Sequence, residues 1–303
     1  MKLSAAVDKM PGVLLSDGNF DDIAFATERE RTGFLTFLEK KKFIGALQST
    51  NISCVLTTPE LAEDIPSHIQ GVFLCERPKE TLFMIHNRLV EDEAYVGKSF
   101  PTKQGENCHI SPLAYIATEN IEIGNNVTIE PFSVIKGRVR IGDNVVIHSH
   151  VSIGCKGFSF SKNSRGENVS VTDTAQIIIE DNVELFDHVT ISTGIFPWER
   201  TVIGKNTKID TQSFVAHGCK VGSNCLLVAG SICCGNCVIG DDVWIGAGAV
   251  VSNRITVEHG ARVSLGSVVT KNVSADTTVT GNFAIDHQMF LMNLKTSLMG
   301  KND

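Results

Sequence analysis

An aliphatic residue returns every six positions through two long runs of this chain. The first run places isoleucine at Ile123, Ile129, Ile135, Ile141, Ile147 and Ile153. A second run opens at Ile179 and keeps a six-residue phase to Val269. A period this regular predicts a solenoid, in which each repeat packs on its neighbours.

A longer period lies on top of the first. Gly-x-Asn or Gly-x-Asp follows the aliphatic position at eighteen-residue intervals within each run, at Gly124, Gly142, Gly204, Gly222 and Gly240. We expect these glycines to take positive φ at a corner. Three short strands in each eighteen-residue coil predict a triangular prism, in which residues eighteen apart lie one above another.

Most of the cysteines follow the same pattern. The fourth residue after each aliphatic position is small or β-branched, as a narrow prism requires inside its corners, and Cys219, Cys225 and Cys237 occupy this position. Cys233 takes an aliphatic position. We therefore expect these four cysteines to be reduced core residues. Residues 233–237 lack the paired Cys and His spacing of a zinc site.

Composition narrows the class of protein. The 303 residues leave room for two domains, or for one long solenoid with an appendage. A formal charge of −7 and an aromatic content of 7% argue against a nucleic-acid partner. The first residues lack an apolar stretch of signal length, and no run approaches about 20 apolar residues. We predict a soluble, cytoplasmic protein.

Residues 1–100 do not follow the repeat and are predicted to form a small α/β domain. Residues 54–57 and 71–75 are typical of strands, while residues 35–47 and 80–90 have helical spacing of apolar residues. The prism is predicted over residues 101–275.

Residues 276–303 form the last predicted segment. Ile285, Met289, Met292 and Leu294 have helical spacing. They predict one helix that packs on the prism or on a neighbouring subunit.

The repeat breaks once, because Ile153 and Ile179 are twenty-six residues apart, which is not a multiple of six. We predict that a loop near residues 156–176 is extruded from the prism. Long loops in compact domains are usually functional or disordered. Phe158 and Phe160 favour a functional loop over a disordered one.

Stacking by eighteen selects one chemically suggestive column. It holds His217, Gly235, Asn253 and Lys271, with Glu199 one coil before if the intervening segment keeps the phase. An imidazole can accept a proton near neutral pH, a glycine N–H can face an oxyanion, and a cation suits phosphate. A solvated or core histidine, a turn glycine and a surface lysine remain alternatives.

The other histidines give weaker signals. His148 and His150 fall on one face by strand alternation, which favours a structural role, and His188 stays ambiguous. Their separations do not offer three convergent ligands, so no metal site is predicted.

Three segments resemble one known family. Residues 209–222, around His217, are similar to the segment that bears the catalytic histidine in UDP-3-O-acylglucosamine N-acyltransferases, hexapeptide-repeat enzymes of lipid A synthesis. Gly157-Phe-Ser-Phe160 resembles that family's Gly-Phe-Gly-Phe/Tyr loop, and residues 33–43 resemble its uridine-binding domain. The resemblance covers nearly the whole chain. It implies a mainly β fold, a left-handed parallel β-helix with a small N-terminal α/β domain and a short C-terminal helix.

The chain also departs from this family. Lys40 and Phe43 stand where the family usually has Asn and Tyr to hold uracil, and Arg254 stands where it has a second active-site histidine. Residues 266–271 and 279–285 are instead similar to the end of acetyl-CoA-dependent sugar acetyltransferases. These departures point to an acceptor other than that of the lipid A enzyme.

The resemblance implies an N-acyltransferase acting on a nucleotide-linked amino sugar in cell-surface glycan or lipopolysaccharide synthesis. It implies no permanently bound cofactor, acetyl-CoA, another acyl-CoA or acyl carrier protein as donor, and a homotrimer. The alternatives are an O-acyltransferase on a sugar hydroxyl and a non-catalytic sugar-nucleotide-binding scaffold.

The implied roles fall on the column and the loop. His217 would be the general base and Gly235 the oxyanion donor, and Lys271 would contact the phosphates of the donor. The implied substrate-binding residues are Phe158, Phe160, Asn253 and Arg254.

Overall fold

The chain folds into a small α/β domain followed by a three-sided left-handed parallel β-helix, in a computed structural model that describes residues 1–281, 284 and 286–299. The fold class is the predicted one. Ile285 of the predicted tail, and residues 282 and 283 of the acetyltransferase-like end, lie outside the described residues.

The N-terminal domain contains a five-stranded sheet in which the first strand of the chain pairs antiparallel with the fifth, and the fourth, third and second strands follow in that order with parallel pairing. Its helices and strands are α1 (Leu3–Ala6), β1 (Val13–Ser16), β2 (Asp22–Ile23), β3 (Phe34–Leu38), a 3₁₀ helix (Lys41–Gln48), β4 (Ile52–Thr57), a second 3₁₀ helix (Pro59–Asp64), β5 (Gly71–Leu74), α2 (Pro78–Leu89) and α3 (Glu93–Val96).

The helix predicted over residues 35–47 is wrong, since this stretch is strand β3 followed by a 3₁₀ helix. Phe34–Leu38 is almost wholly buried between two parallel strands. A short continuous apolar run is compatible with either a buried strand or a helix, and here the tertiary pairing decides.

The prism has three faces, each of them a parallel β-sheet, which we call A, B and C. Face A consists of β6 (Lys103–Gln104), β9 (Ile121–Ile123), β12 (Arg138–Ile141), β17 (Gln176–Ile179), β20 (Arg200–Ile203), β23 (Lys220–Val221), β26 (Val238–Ile239) and β29 (Thr256–Val257). Face B consists of β7 (His109–Ile110), β10 (Thr128–Ile129), β13 (Val146–Ile147), β18 (Glu184–Leu185), β21 (Lys208–Ile209), β24 (Leu226–Leu227), β27 (Trp244–Ile245), β30 (Arg262–Val263) and β32 (Thr278–Val279). Face C consists of β8 (Tyr115–Ile116), β11 (Val134–Ile135), β14 (Ser152–Cys155), β19 (Thr190–Ser192), β22 (Phe214–Val215), β25 (Ile232–Cys233), β28 (Val250–Val251) and β31 (Val268–Val269).

The aliphatic positions of the repeat point inward and form one core along the prism. The small positions are buried as well, including Cys219, Cys225 and Cys237, and Cys233 lies among the aliphatic residues. All nine cysteines fall in the described part of the chain, and each is a free thiol. The prediction of reduced core cysteines is confirmed for these four.

The glycines that recur every eighteen residues do not have the predicted positive φ. Positive φ falls two residues later, as at Asn126 (56°) and Asn224 (58°). Gly204 is needed because an added Cβ would lie 2.5 Å from the backbone of Gly222 in the next coil. Close approach between coils, rather than positive φ, therefore explains these glycines.

Two segments leave the prism. The first is the loop predicted near residues 156–176. It contains the hairpin of β15 (Phe160–Lys162) and β16 (Asn168–Ser170), which packs on α2. The second, residues 193–199, was not predicted. It adds six residues between β19 and β20, so that Ile179 pairs with Ile203, twenty-four residues on.

The tail forms helix α4 (His287–Met299). Residues 286–296 are all exposed, so this part of the helix does not pack on its own prism as one form of the prediction required. Within the described residues, every helix is too short or too polar to cross a bilayer.

Candidate functional site

The predicted column lies at the corner where face C turns into face A. Val215 pairs with Cys233, Cys233 with Val251, and Val251 with Val269. His217, Gly235, Asn253 and Lys271 each follow one of these residues by two positions. The structure therefore brings the four into one line, as the eighteen-residue spacing predicted.

Glu199 does not belong to this line. Ile191 pairs with Val215, so Thr193 lies beneath His217. The extra six residues of segment 193–199 move Glu199 out of register. A six-residue insertion keeps the hydrophobic phase, and for that reason the periodicity did not reveal it.

The imidazole of His217 lies directly against Gly235. A Cβ added to Gly235 would lie 2.6 Å from Nε2 and 2.8 Å from Cε1 of His217. The main chain is held by Asn236, whose N–H donates to His217 O at 2.8 Å. Among the described residues the Gly235 N–H has no acceptor. A proton acceptor and a free N–H donor thus lie side by side, as acyl transfer requires.

His217 has the electrostatics of a neutral base. Burial lowers the pKa of His217, and the positive charge of Arg254 lowers this pKa further. The imidazole is therefore unprotonated at neutral pH and able to accept a proton at Nε2. Its Nδ1 atom is buried and has no hydrogen-bond partner among the described residues.

Two cavities lie beside the column, between the prism and the N-terminal domain. The first, about 390 Å³, is lined by Phe25, Thr27, Glu28, Arg29, Glu30, Trp198, Glu199, Arg200, Gly218, Lys220, Asn236, Val238 and Arg254. The second, about 290 Å³, is lined by Phe25, Ala26, Thr27, Phe37, Leu38, Glu39, Lys40, Phe43, Ala46 and Arg254. Phe25, Thr27 and Arg254 line both, so the cavities adjoin.

Arg254 lies where the two cavities meet. Its φ is +60°, and in the two preceding coils the matching residues are Gly218 and Asn236, also at positive φ. In the described part of the chain its one hydrogen bond joins its own N–H to Gly235 O at 3.0 Å. The guanidinium is thus an available cation, of the kind that binds phosphate bidentately.

Segment 193–199 joins the two parts of the molecule. Phe196 is fully buried and stacks on Trp198, with ring centroids 5.8 Å apart. The Trp198 Nε1–H donates to Ile23 O of the N-terminal domain at 2.8 Å. The segment therefore fixes the N-terminal domain over the corner that holds His217.

A carboxyl group closes the wall of the first cavity. Burial raises the pKa of Glu199 to about 7, although the N–H groups of Ile195 and Phe196 donate to its Oε2 atom and favour the charged form. The negative charge of Asp173 also raises the pKa of Glu199. Burial also raises the pKa of Asp173, to about 6, although the Gly157 N–H donates to its Oδ2 atom at 2.7 Å.

The remaining predicted site residues lie at different distances from these cavities. Asn253 and Lys271 are exposed on the column, beyond Gly235. Phe158 and Phe160 lie on the extruded loop, with ring centroids 5.0 Å apart, and line neither cavity. Phe158 is 96% exposed in the single chain. The structure therefore brings His217, Gly235 and Arg254 together and leaves the two phenylalanines apart from them.

His148, His150 and His188 lie on the corner between faces B and C. The carboxylates of Glu184 and Glu130 accept from the ring nitrogens of His148, at 3.0 Å from Nε2 and 3.2 Å from Nδ1. Burial alone would lower the pKa of His148, but these two carboxylates raise it. His150 stacks on His188, with centroids 4.8 Å apart. Across the described residues, no three His, Cys, Asp or Glu side chains converge as possible ligands of a metal ion.

Sequence reasoning missed most of the first cavity. Residues 25–30 come from a loop of the N-terminal domain that carries no repeat. Trp198, Glu199 and Arg200 had a signal, because Pro197 stands where the repeat requires an aliphatic residue. From 179 to 269, Pro197 is the one periodic position held by neither an aliphatic residue nor cysteine, and it lies within the insertion.

Comparisons with known proteins agree with this structure. The family described as bacterial transferase hexapeptide (six repeats) matches residues 120–155 and 200–235. A UDP-3-O-acylglucosamine N-acyltransferase of Coxiella burnetii is 26% identical over 227 residues, which cover 67% of this chain and 65% of the relative. A protein of the same name from Bradyrhizobium diazoefficiens is 28% identical over 235 residues, covering 64% of this chain and 62% of the relative.

A solved structure shares the fold. The UDP-N-acetylglucosamine acyltransferase from Campylobacter jejuni superposes with a TM-score of 0.54 at 21% identity, covering 67% of this chain and 82% of that one. The chain spans about two thirds of the length of the curated relatives it matches. It is a hexapeptide-repeat, left-handed β-helix protein that is similar to the UDP-3-O-acylglucosamine N-acyltransferases.

Proposed function

We propose that this protein is an N-acyltransferase that moves an acyl group from a pantetheine thioester to the amine of a nucleotide-linked amino sugar. The observation that carries the proposal is the contact of His217 Nε2 with Gly235, whose N–H has no acceptor among the described residues. The residues that follow them, Gly218 and Asn236, line the first cavity. The names of the relatives support the same reaction class and an acceptor linked to UDP.

His217 acts as the general base. The amine of the acceptor attacks the thioester carbonyl carbon and forms a C–N bond, while Nε2 of His217 accepts the proton that the amine loses. The Gly235 N–H donates to the oxygen of the tetrahedral intermediate. The C–S bond then breaks, and the leaving thiolate takes the proton from the imidazolium. The lowered pKa of His217 supports this role, because the imidazole starts neutral at pH 7.

The two cavities suit the two ends of a nucleotide sugar. Arg254 offers its guanidinium to a diphosphate between them. The second cavity has aromatic walls at Phe25, Phe37 and Phe43, on which a base can stack, with Lys40 beside them. We infer that the sugar occupies the first cavity, which Gly218 lines directly after His217.

The donor occupies the outer part of the column. Lys271 and Asn253 lie above Gly235 and are exposed, so Lys271 is placed to contact the phosphates of acyl-CoA or of the pantetheine arm of acyl carrier protein. Phe158 and Phe160 lie apart from the cavities of their own chain. In a homotrimer they would contact the substrates held by a neighbouring chain.

The experiment that tests the proposal measures thiol release from acetyl-CoA with a panel of UDP- and dTDP-linked amino sugars, repeated with 3-hydroxyacyl carrier protein. We expect release that requires one particular amino sugar, and a product that mass spectrometry shows to be an amide. An ester product would establish an O-acyltransferase instead. Silence with both donors and every acceptor would favour a non-catalytic binding protein.

A further inference from the structure

The base in the proposed mechanism lacks a visible orienting group. Nε2 of a neutral histidine can accept a proton only when the ring hydrogen is on Nδ1. In His217 that atom is buried and has no partner among the described residues. A buried N–H without an acceptor is unfavourable, so the ring would favour the other tautomer unless something accepts this hydrogen.

Ser192 carries a second buried polar atom that has no hydrogen-bond partner in the described part of the chain. Its side chain is 2% exposed, and its Oγ is also buried without a partner among the described residues. Ile191 pairs with Val215, which places Ser192 beside Ala216 in the coil beneath His217. Two unpartnered polar atoms therefore lie one coil apart at the same corner.

The main chain around these two atoms is well fixed. The Thr201 hydroxyl donates to Ser192 O at 3.2 Å and accepts the N–H of Gly218 at 2.9 Å. This hydrogen-bonded bridge ties the backbone of Ser192 to the residue that follows His217. The relative position of the two coils is consequently set by the protein itself.

We propose that Ser192 is a positioning residue, whose hydroxyl accepts the Nδ1 hydrogen of His217 through one bridging water and so holds the imidazole in the tautomer with a free Nε2. The inference rests on the proposed role of His217 as the base. A buried water needs at least two polar partners, and Nδ1–H and Ser192 Oγ supply them.

Among the hydroxyls at this corner, Ser192 is the one with no partner of any kind in the described part of the chain. Thr193, directly beneath His217, is already held by the bond that its hydroxyl donates to Ala175 O at 2.9 Å. Asp173 Oδ1 is also buried and unpartnered, but its carboxyl holds the base of the extruded loop through the Gly157 N–H. Arg254 offers donors alone and cannot accept this hydrogen.

The test is the tautomer of His217, read from the ¹⁵N shifts of the imidazole by NMR in the full chain without substrate. We expect the Nδ1–H tautomer above the pKa in the native protein and a shift toward Nε2–H in Ser192→Ala. Ser192→Thr keeps the hydroxyl and is expected to hold the native tautomer. Ser267→Ala is the control, because Ser267 Oγ is likewise buried and unpartnered but lies elsewhere in the prism.

Kinetics give the second readout. We expect Ser192→Ala to lower kcat about five- to tenfold, the loss of one neutral hydrogen bond, with little change in KM. An unchanged tautomer in Ser192→Ala, or an Nε2–H tautomer in the native protein, would overturn the inference. The NMR measurement needs no acceptor, so failure of the proposed acyl transfer is seen separately as absent thiol release.

Discussion

Arg254 occupies a backbone conformation that its column otherwise gives to glycine and asparagine. Its φ of +60° matches that of Gly218 and Asn236 in the coils before it. A left-handed conformation costs a side chain such as arginine roughly 1 kcal/mol, whereas asparagine tolerates it. An arginine kept at this point, with its guanidinium between two cavities, supports a role in binding rather than in stability.

Arg254→Asn should therefore separate stability from function. We expect the free energy of unfolding to rise by about 1 kcal/mol, as measured by urea titration. The KM for the nucleotide sugar should rise, because the phosphate loses its partner. The pKa of His217 should also rise when the nearby positive charge is removed. Arg262→Asn, the same change of charge on face B, serves as the control and should alter neither KM nor this pKa.

Gly235 offers a sharper test of the oxyanion geometry. An alanine Cβ there would come within 2.6 Å of His217 Nε2 and would push the imidazole away. We expect Gly235→Ala to lower kcat by about 10²-fold, the scale of losing a positioned base, with an unchanged melting temperature. Gly248→Ala, where an added Cβ meets nothing within 4 Å, is the comparison for kcat alone, because its positive φ of 64° strains alanine and lowers stability. Full activity in Gly235→Ala would rule out this contact as part of the site.

Residue roles were partly readable from sequence. The eighteen-residue spacing predicted directly that Gly235 lies above His217. Thr193 could be placed beneath His217 only once the insertion was known. Arg254 could be named as a departure from a family pattern, but its position between two cavities depends on a domain that carries no repeat. Spacing predicts contacts along the prism, and it is silent about contacts across domains.

Segment 193–199 is the element that sequence analysis missed, and it carries a buried acid. The native pKa of Glu199 is about 7, above the roughly 4.3 of an unfolded chain. The folded state thus binds the proton more tightly, and its stability falls as pH rises from about 4.3 to about 7. The carboxyl lies near Asp173 and Glu28, whose charges act in the same direction.

Glu199→Gln should remove this pH dependence. At pH 5 the variant and the native protein should have similar stability, while at pH 8 the variant should be the more stable of the two. Urea unfolding at the two pH values measures the difference. A stability gap that is the same at both pH values would mean that Glu199 is ionised in the native state throughout.

At the scale of the whole molecule, face C differs from the other two faces. In the described strands its outward positions hold no charged residue, and they are Tyr115, Val134, Ser152, Thr190, Phe214, Ile232, Val250 and Val268. Faces A and B carry charged outward residues such as Lys220 and Glu184. Depletion of charge is typical of the core of an interface between subunits. We therefore expect face C to form the contact of a closed, symmetric homotrimer.

A charge on this face should break the assembly. Sedimentation of the native chain is expected to give a particle of about three times 32.8 kDa. Val268, 69% exposed in one chain, is the position to change, and Val268→Glu should sediment as a smaller species. Leu226→Glu on face B, where the native residue is 50% exposed, should keep the native mass. A native protein that sediments as a monomer would contradict the expected homotrimer.

The prism as a whole was the most predictable part of the molecule, because six-residue periodicity reports which side chains face inward. The placement of the N-terminal domain over the corner was not, since it depends on Phe196 and Trp198 packing against residues far away in sequence. The candidate site lies between the prism and the N-terminal domain, so its prediction needs both the periodicity and these distant contacts.

The most direct measurement is the rate of acceptor-dependent thiol release by the native protein and by His217→Ala at saturating donor and acceptor. We expect kcat to fall by about 10²- to 10⁴-fold in the variant, the usual cost of losing a general base. His217→Ala should still bind the nucleotide sugar with native affinity. Undiminished thiol release in His217→Ala would contradict the assignment of His217 as the base and, with it, the proposed mechanism.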